Sequence, residues 1–172
     1  MKKRDIWISV AIIAAACLVF CFHSQQKGYI RIDGSGAELQ LGSGLFSTTK
    51  ITSGPKPVAL RARAYRPKRL SIAMKENSNT WRIDSRGPWG KLSKIKVEND
   101  ETTVLKLGPP LLIKPKINQR SSLVSVDFSI IGQAGEHYGA GIAKNGRRLA
   151  APGLKIVDEA GEVLASGKFA YG

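Results

Sequence analysis

The chain is poor in the side chains that most often carry chemistry. It has two histidines and two cysteines in 172 residues. Both cysteines, Cys17 and Cys21, fall inside one apolar run, so the rest of the chain has neither a thiol nucleophile nor a disulfide framework. Beyond the run's edge, where His23 sits, the only imidazole is His137, whereas a metal held by imidazole or thiolate needs three or four such groups. A Ser-His-Asp arrangement through His137, with Asp127 or Glu136 and a serine, lacks a Gly-x-Ser-x-Gly elbow to mark the nucleophile. The glycine clusters at 34–36 and 42–44 are not phosphate loops, since no Lys-Ser/Thr comes after them. Asp158, Glu159 and Glu162 could supply calcium-binding oxygens, but they lack the Asp-x-Asp-x-Asp-Gly spacing and suit a hairpin turn equally well. No Asn-x-Ser/Thr acceptor is present, and beyond the apolar run no stretch keeps helical spacing over eleven residues or more. The reading inclines to a non-enzyme, with no cofactor and no metal.

The apolar run itself, Ile6 to Phe22, contains no charge. As a helix it is roughly 25 Å long, slightly short of the roughly 30 Å hydrocarbon core of a bilayer. Lys2, Lys3 and Arg4 precede it, a flank that stays cytoplasmic and sends the remainder of the chain across. Three fates are open. The run is an uncleaved signal anchor, a cleaved secretory signal ending near Ala14-Ala15-Ala16, or the leader of a lipoprotein. For the last, Ala-Ala-Ala-Cys17 resembles a lipobox and makes Cys17 the lipidated residue, although the leucine three places before the cysteine is missing. A pilin-like tether would need a Gly-Phe cleavage site and a glutamate five residues on, and neither is there. All three readings export the chain from about residue 24. The expected organisation is a basic flank at 1–5, the tether at 6–22, a linker at 23–28 and one exported domain at 29–172. The expected location is the cell membrane, single-pass, with that domain periplasmic or extracellular, or else a lipoprotein or a secreted form.

What is abundant is positive charge. Lys and Arg number 27 against 13 Asp and Glu, a net of +14. Three of those bases and one acid precede the tether, so the exported part keeps 24 minus 12, about +12. A field of that sign favours anionic partners: phospholipid headgroups, envelope polymers or an acidic protein, with nucleic acid ranked below them.

Glycine, proline and asparagine divide the exported part into short alternating segments. Tyr29–Asp33 and Glu38–Leu41 read as two strands of a hairpin around Gly34-Ser35-Gly36. Residues 45–56 read as a loop. Residues 57–66 read as a strand stopped by Pro67, with further strands at 70–75 and at 81–84 across an Asn77-Ser78-Asn79 turn. Two more strands are expected at 92–98 and 102–107. Residues 122–131 give the clearest alternation, with Val124, Val126, Phe128 and Ile130 on the inward side. Residues 132–152 read as a glycine-rich excursion, and 154–171 as a closing hairpin turning at Gly161.

Pro152-Gly153-Leu154-Lys155-Ile156-Val157-Asp158 and Gly161-Glu162-Val163-Leu164-Ala165-Ser166-Gly167-Lys168-Phe169-Ala170-Tyr171 resemble the closing hairpin of extracellular Ig-like or carboxypeptidase-regulatory-like domains. The resemblance spans about the last twenty residues. It implies a sandwich in an accessory role and carries no catalytic residue, and the Cys-Trp-Cys core of immunoglobulin domains is absent. Together with the strand pattern it gives the expected fold: an all-β antiparallel sandwich, Ig-like or related, preceded by one N-terminal transmembrane or signal helix.

The constellation with a mechanism is a run of bases around one strand. Arg61 and Arg63 alternate onto one face, Arg66, Lys68 and Arg69 come next, and Tyr65 and Trp89 supply aromatic faces. Guanidinium forks bind phosphate or carboxylate bidentately, and aromatic rings stack on sugars or bases. The bland alternative is a solvated sheet face. The leading expectation is a membrane-anchored interaction or scaffold module using this region on an anionic polymer or acidic partner. The alternatives are a secreted hydrolase, or an accessory domain of one, working through His137, and a subunit of a cell-envelope assembly.

Overall fold

A computed structural model describes residues 26–42, 47–121, 123–139 and 141–169. The apolar run at 6–22, with Cys17, lies outside the described residues, as do residues 170–172. Among the described residues no helix is long and apolar enough to cross a membrane.

The described chain is all-β. Its strands are β1 (Lys27–Asp33), β2 (Ala37–Gly42), β3 (Thr48–Thr52), β4 (Val58–Arg61), β5 (Arg63–Glu76), β6 (Asn79–Ser85), β7 (Ile95–Val97), β8 (Thr102–Lys106), β9 (Leu112–Arg120), β10 (Leu123–Ile131), β11 (His137–Tyr138), β12 (Ala143–Lys144), β13 (Arg147–Arg148), β14 (Gly153–Val157) and β15 (Val163–Lys168), with one 3-10 turn at Gly90–Ser93. Four hydrogen-bonded sheets result. One has the order β4-β1-β8 and another β13-β12-β6-β5-β2-β3, with β7 also paired to β5; β11-β10-β9 and β14-β15 complete the set. Pairing is antiparallel throughout, except that β1 and β8 run parallel.

Period-two alternation places the core. Ile30 and Ile32 of β1, Leu39 and Leu41 of β2, Ile51 of β3, Leu70 and Ile72 of β5, and Ile95 and Val97 of β7 are buried in one cluster, between strands whose intervening residues are polar. Each such side chain contributes roughly 1.5–3 kcal/mol by leaving water. The core therefore belongs to residues 30–107, with Ile130 and Tyr138 joining it from the second half.

Several local expectations are corrected. The strands flanking Gly34-Ser35-Gly36 are not a hairpin: β1 pairs with β4 and β8, while β2 pairs with β3 and β5. The glycines carry the chain from one sheet to the other. Gly36 has φ of 65° and gives its carbonyl to the Ala73 amide at 2.9 Å. Residues 45–56 are not all loop, for they hold β3: threonine suits a pleated surface, and Ile51 supplies its buried anchor. Pro67 does not stop a strand. At residues 66–69 β5 is paired with β2 alone, since β7 takes 63–65 and β6 takes 70–76, and a β-bulge falls there. A proline at a bulge forfeits little ladder bonding.

The second half is more open. β9 and β10 form a hairpin in register from Leu112↔Ile131 to Arg120↔Leu123. The inward side expected of β10 is covered only near its end: Ile130 is buried, whereas Val124 is 52% exposed. The expected excursion at 132–152 contains the short strands β11, β12 and β13. The closing hairpin forms as expected, with Gly161 at φ of 86° in its turn and the Asp158 carboxylate accepting the Glu162 amide at 2.8 Å. Phe169 then meets Phe128 edge-on, with ring centroids 4.7 Å apart.

Candidate anion-binding surface

The basic residues around β5 divide into two groups. Arg61 ends β4 directly opposite Lys27 of β1. With Arg63, Thr49 and Leu60 they border a depression of about 520 Å³. Like charges directly opposite each other on neighbouring strands repel, so Lys27 and Arg61 concentrate positive charge at this spot. The turn Asn99–Glu101 is tied to the start of β1: the Lys27 carbonyl accepts the Asp100 amide, and the Glu101 carbonyl accepts the Tyr29 amide.

Tyr65 does not offer a stacking face. It is 3% exposed, its hydroxyl donates to the Arg61 carbonyl at 3.0 Å, and the Arg63 guanidinium sits 4.8 Å over its ring. Trp89 packs against the core. These two aromatics belong to the fold, and a sequence lacking any partner information could not tell a stacked ring from a buried one.

Arg66, Lys68 and Arg69 belong to the second group, on the outer face of the sheet β3-β2-β5-β6. Alternation alone would place Lys68 and Arg69 on opposite faces. The bulge turns both outward, with Lys68 lying over Gly42 and Arg69 opposite Gln40. Across the same face run Lys50, Glu38, Ser71, Asp84 and Arg82, in rows set by the registers Gln40↔Lys50, Glu38↔Ser71 and Ser71↔Asp84.

Ion pairing separates one set of cations from the other. Asp84 accepts from Arg69 at 2.7 Å, from Ser71 at 2.6 Å and from Arg82 at 3.1 Å, while Arg82 also donates to Ser71 at 2.9 Å. Lys50 pairs with Glu38 at 2.7 Å. Arg66 and Lys68 are exposed and enter no ion pair among the described residues. Arg69 is therefore a structural cation, and Arg66 with Lys68 is the available pair.

Partial burial pushes the Asp84 carboxyl upward, but the bonds from Ser71, Arg69 and Arg82 outweigh it and hold the pKa below the ordinary aspartate value. Glu38 is likewise lowered, chiefly by its bond to Lys50. A depressed folded-state value stabilises the fold above the ordinary carboxylate range, and that contribution is lost as pH falls through the depressed value. Melting curves against pH should therefore show Asp84→Asn less stable than the wild type at neutral pH, with the two converging in strong acid.

His137 stands apart. Its amide donates to the Pro88 carbonyl, and its own carbonyl accepts the Ser85 hydroxyl. The fully buried Glu136 carboxylate is committed to the Tyr138 hydroxyl at 2.7 Å and the Ala134 amide at 2.9 Å. Burial and this bond raise the Tyr138 pKa. Asp127 lies four residues along β10 from Ile131, the partner of His137, about 13 Å away at strand rise. Its carboxylate accepts the Phe128 amide.

The second half adds a feature that sequence alternation hinted at without locating. Ile113, Phe128, Ile130, Leu149, Leu154 and Phe169 line an apolar trough of about 520 Å³ between the two long hairpins. Among the described residues no group of three or more His, Cys, Asp or Glu side chains could hold a metal. No protein-family model matches the chain, and no curated protein or solved structure matches it either.

Proposed function

We propose that the chain is a non-enzymatic interaction module, tethered by residues 6–22 and facing the periplasm or the cell exterior, that holds an anionic polymer on its basic sheet face. In this reading residues 29–172 act as one exported unit. The sheets enclosing Ile30, Leu39 and Leu70 are the halves of an Ig-like or related sandwich. The observation that carries the reading is the contrast on one face. Arg69 and Arg82 are both ion-paired to Asp84, while Arg66 and Lys68 beside them carry exposed charge with no carboxylate partner among the described residues. A face of spaced, exposed charges suits a repeating anion, which it would grip by charge rather than by enclosure.

The test is retention of the full chain in detergent on an immobilised polyanion against a neutral polymer of equal length. Retention on the polyanion alone is expected, and equal retention on both removes the electrostatic reading.

A further inference from the structure

The trough and the strand beside it point to a second, separate docking surface. β9 is nine residues long and exposed along its whole length, and it is the outermost strand of β11-β10-β9. Among the described residues nothing pairs with its outer edge. Alternation and register give it two different faces. On one, Ile113, Pro115 and Ile117 stand opposite Ile130, Phe128 and Val126; on the other, Lys114 and Lys116 stand opposite Ser129 and Asp127. The apolar face is the one that runs into the trough, and Ile113 and Ile117 are 64% and 67% exposed.

Pro115 has no amide hydrogen, and the amide of its partner Phe128 donates to the Asp127 carboxylate. That pair is therefore of the non-bonded kind, and its backbone groups turn away from each other. By the same parity Ile113, Ile117 and Gln119 turn their N–H and C=O groups to the open edge. Pro115 contributes a carbonyl but no donor.

We propose that this edge takes an extended peptide segment of a partner protein, in which apolar residues alternate with acidic ones. Added to β9, such a strand continues the sheet. Its apolar side chains lie over Ile113 and Ile117 and close the trough, while its carboxylates meet Lys114 and Lys116. Charge selects this occupant over a second copy of the chain, since two β9 strands would set Lys114, Lys116 and Arg120 against their own kind. The open backbone groups select it over a lipid surface, where they would be left without partners. Pro115 and the two lysines blunt the edge against indiscriminate pairing, as edge strands require, so side-chain complementarity decides what binds.

The experiment uses the full chain in detergent, isotope-labelled, with two short synthetic peptides: alternating valine and glutamate, and alternating valine and lysine. The glutamate peptide is expected to shift the amides of Ile113, Ile117 and Gln119 and to bind roughly tenfold more tightly than the lysine peptide. Lys114→Glu with Lys116→Glu should invert that preference. Ile117→Pro, which removes an outward donor from an exposed residue, should abolish binding with little change in Tm. Equal binding of the two peptides overturns the proposal, as do shifts confined to another edge. So does dodecanoate filling the trough while the glutamate peptide leaves β9 unmoved, or self-association through β9 that this peptide does not displace.

Discussion

Gly36→Ala is expected to destabilise the fold by about 3 kcal/mol or more, because strain and steric clash act together at that residue. Its φ of 65° is one that an L-residue adopts at a cost. A β-carbon there would overlap the Ala73 carbonyl oxygen, a backbone atom of β5 that cannot swing aside. The Ala73 amide is bonded to the Gly36 carbonyl, so relieving the clash would break that bond too. Gly161→Ala is the control. It carries the same class of strain at φ of 86°, with nothing within 4 Å of the added carbon. Its cost should stay near the strain alone, about 1–2 kcal/mol. Urea unfolding of the two variants separates the terms, and similar losses in both would show that the backbone at Gly36 does not lie close against Ala73 of β5.

Arg66→Glu combined with Lys68→Glu is expected to weaken polyanion binding by about 3 kcal/mol, or roughly a hundredfold. Each cation near an anionic surface is worth about 1 kcal/mol, and the new repulsion adds to the loss of both. Stability should hardly change, because neither side chain enters an ion pair among the described residues. Arg69→Gln should do the reverse. Asp84 would lose its 2.7 Å partner, so Tm falls while polymer affinity falls much less. Filter binding and thermal melts on the same three proteins make the comparison. Equal affinity losses in the Arg66/Lys68 and Arg69 variants would mean that the ion pair does not separate structural from available cations.

Alternation in the sequence located most strands but not their partners. The pleat of β1 and β2 was legible in Ile30, Ile32, Leu39 and Leu41, and the Asn77-Ser78 turn in its residue types. What could not be read was that β1 pairs in parallel with β8, since nothing local to Tyr29–Asp33 specifies Thr102–Lys106. Pro67 misleads because a proline reads as a break, whereas a bulge on a singly paired stretch accommodates it. Residues 48–52 were hidden by hydroxyl-rich composition, although one buried isoleucine is enough to fix a short strand. Val124 and Ile117 show the limit of pattern reading: alternation says that a strand has an apolar face, not whether that face is covered.

The candidate site was legible in kind and not in arrangement. Seven residues read as one patch turn out to serve three purposes. Arg66 and Lys68 are exposed beside an ion-paired Arg69; Arg61 and Arg63 border a depression; Tyr65 and Trp89 support the core. That division comes from the handover of β5 between neighbouring strands, which no local pattern encodes.

The central claim is the electrostatic character of the sheet face. Its sharpest measurement is the affinity of the full chain for a linear polyanion across a range of salt concentrations. A straight fall of log affinity with log salt is predicted, and the slope should become shallower by about two in the Arg66/Lys68 variant, one counterion per lost contact. An affinity indifferent to salt, or a slope the same in both proteins, would contradict it.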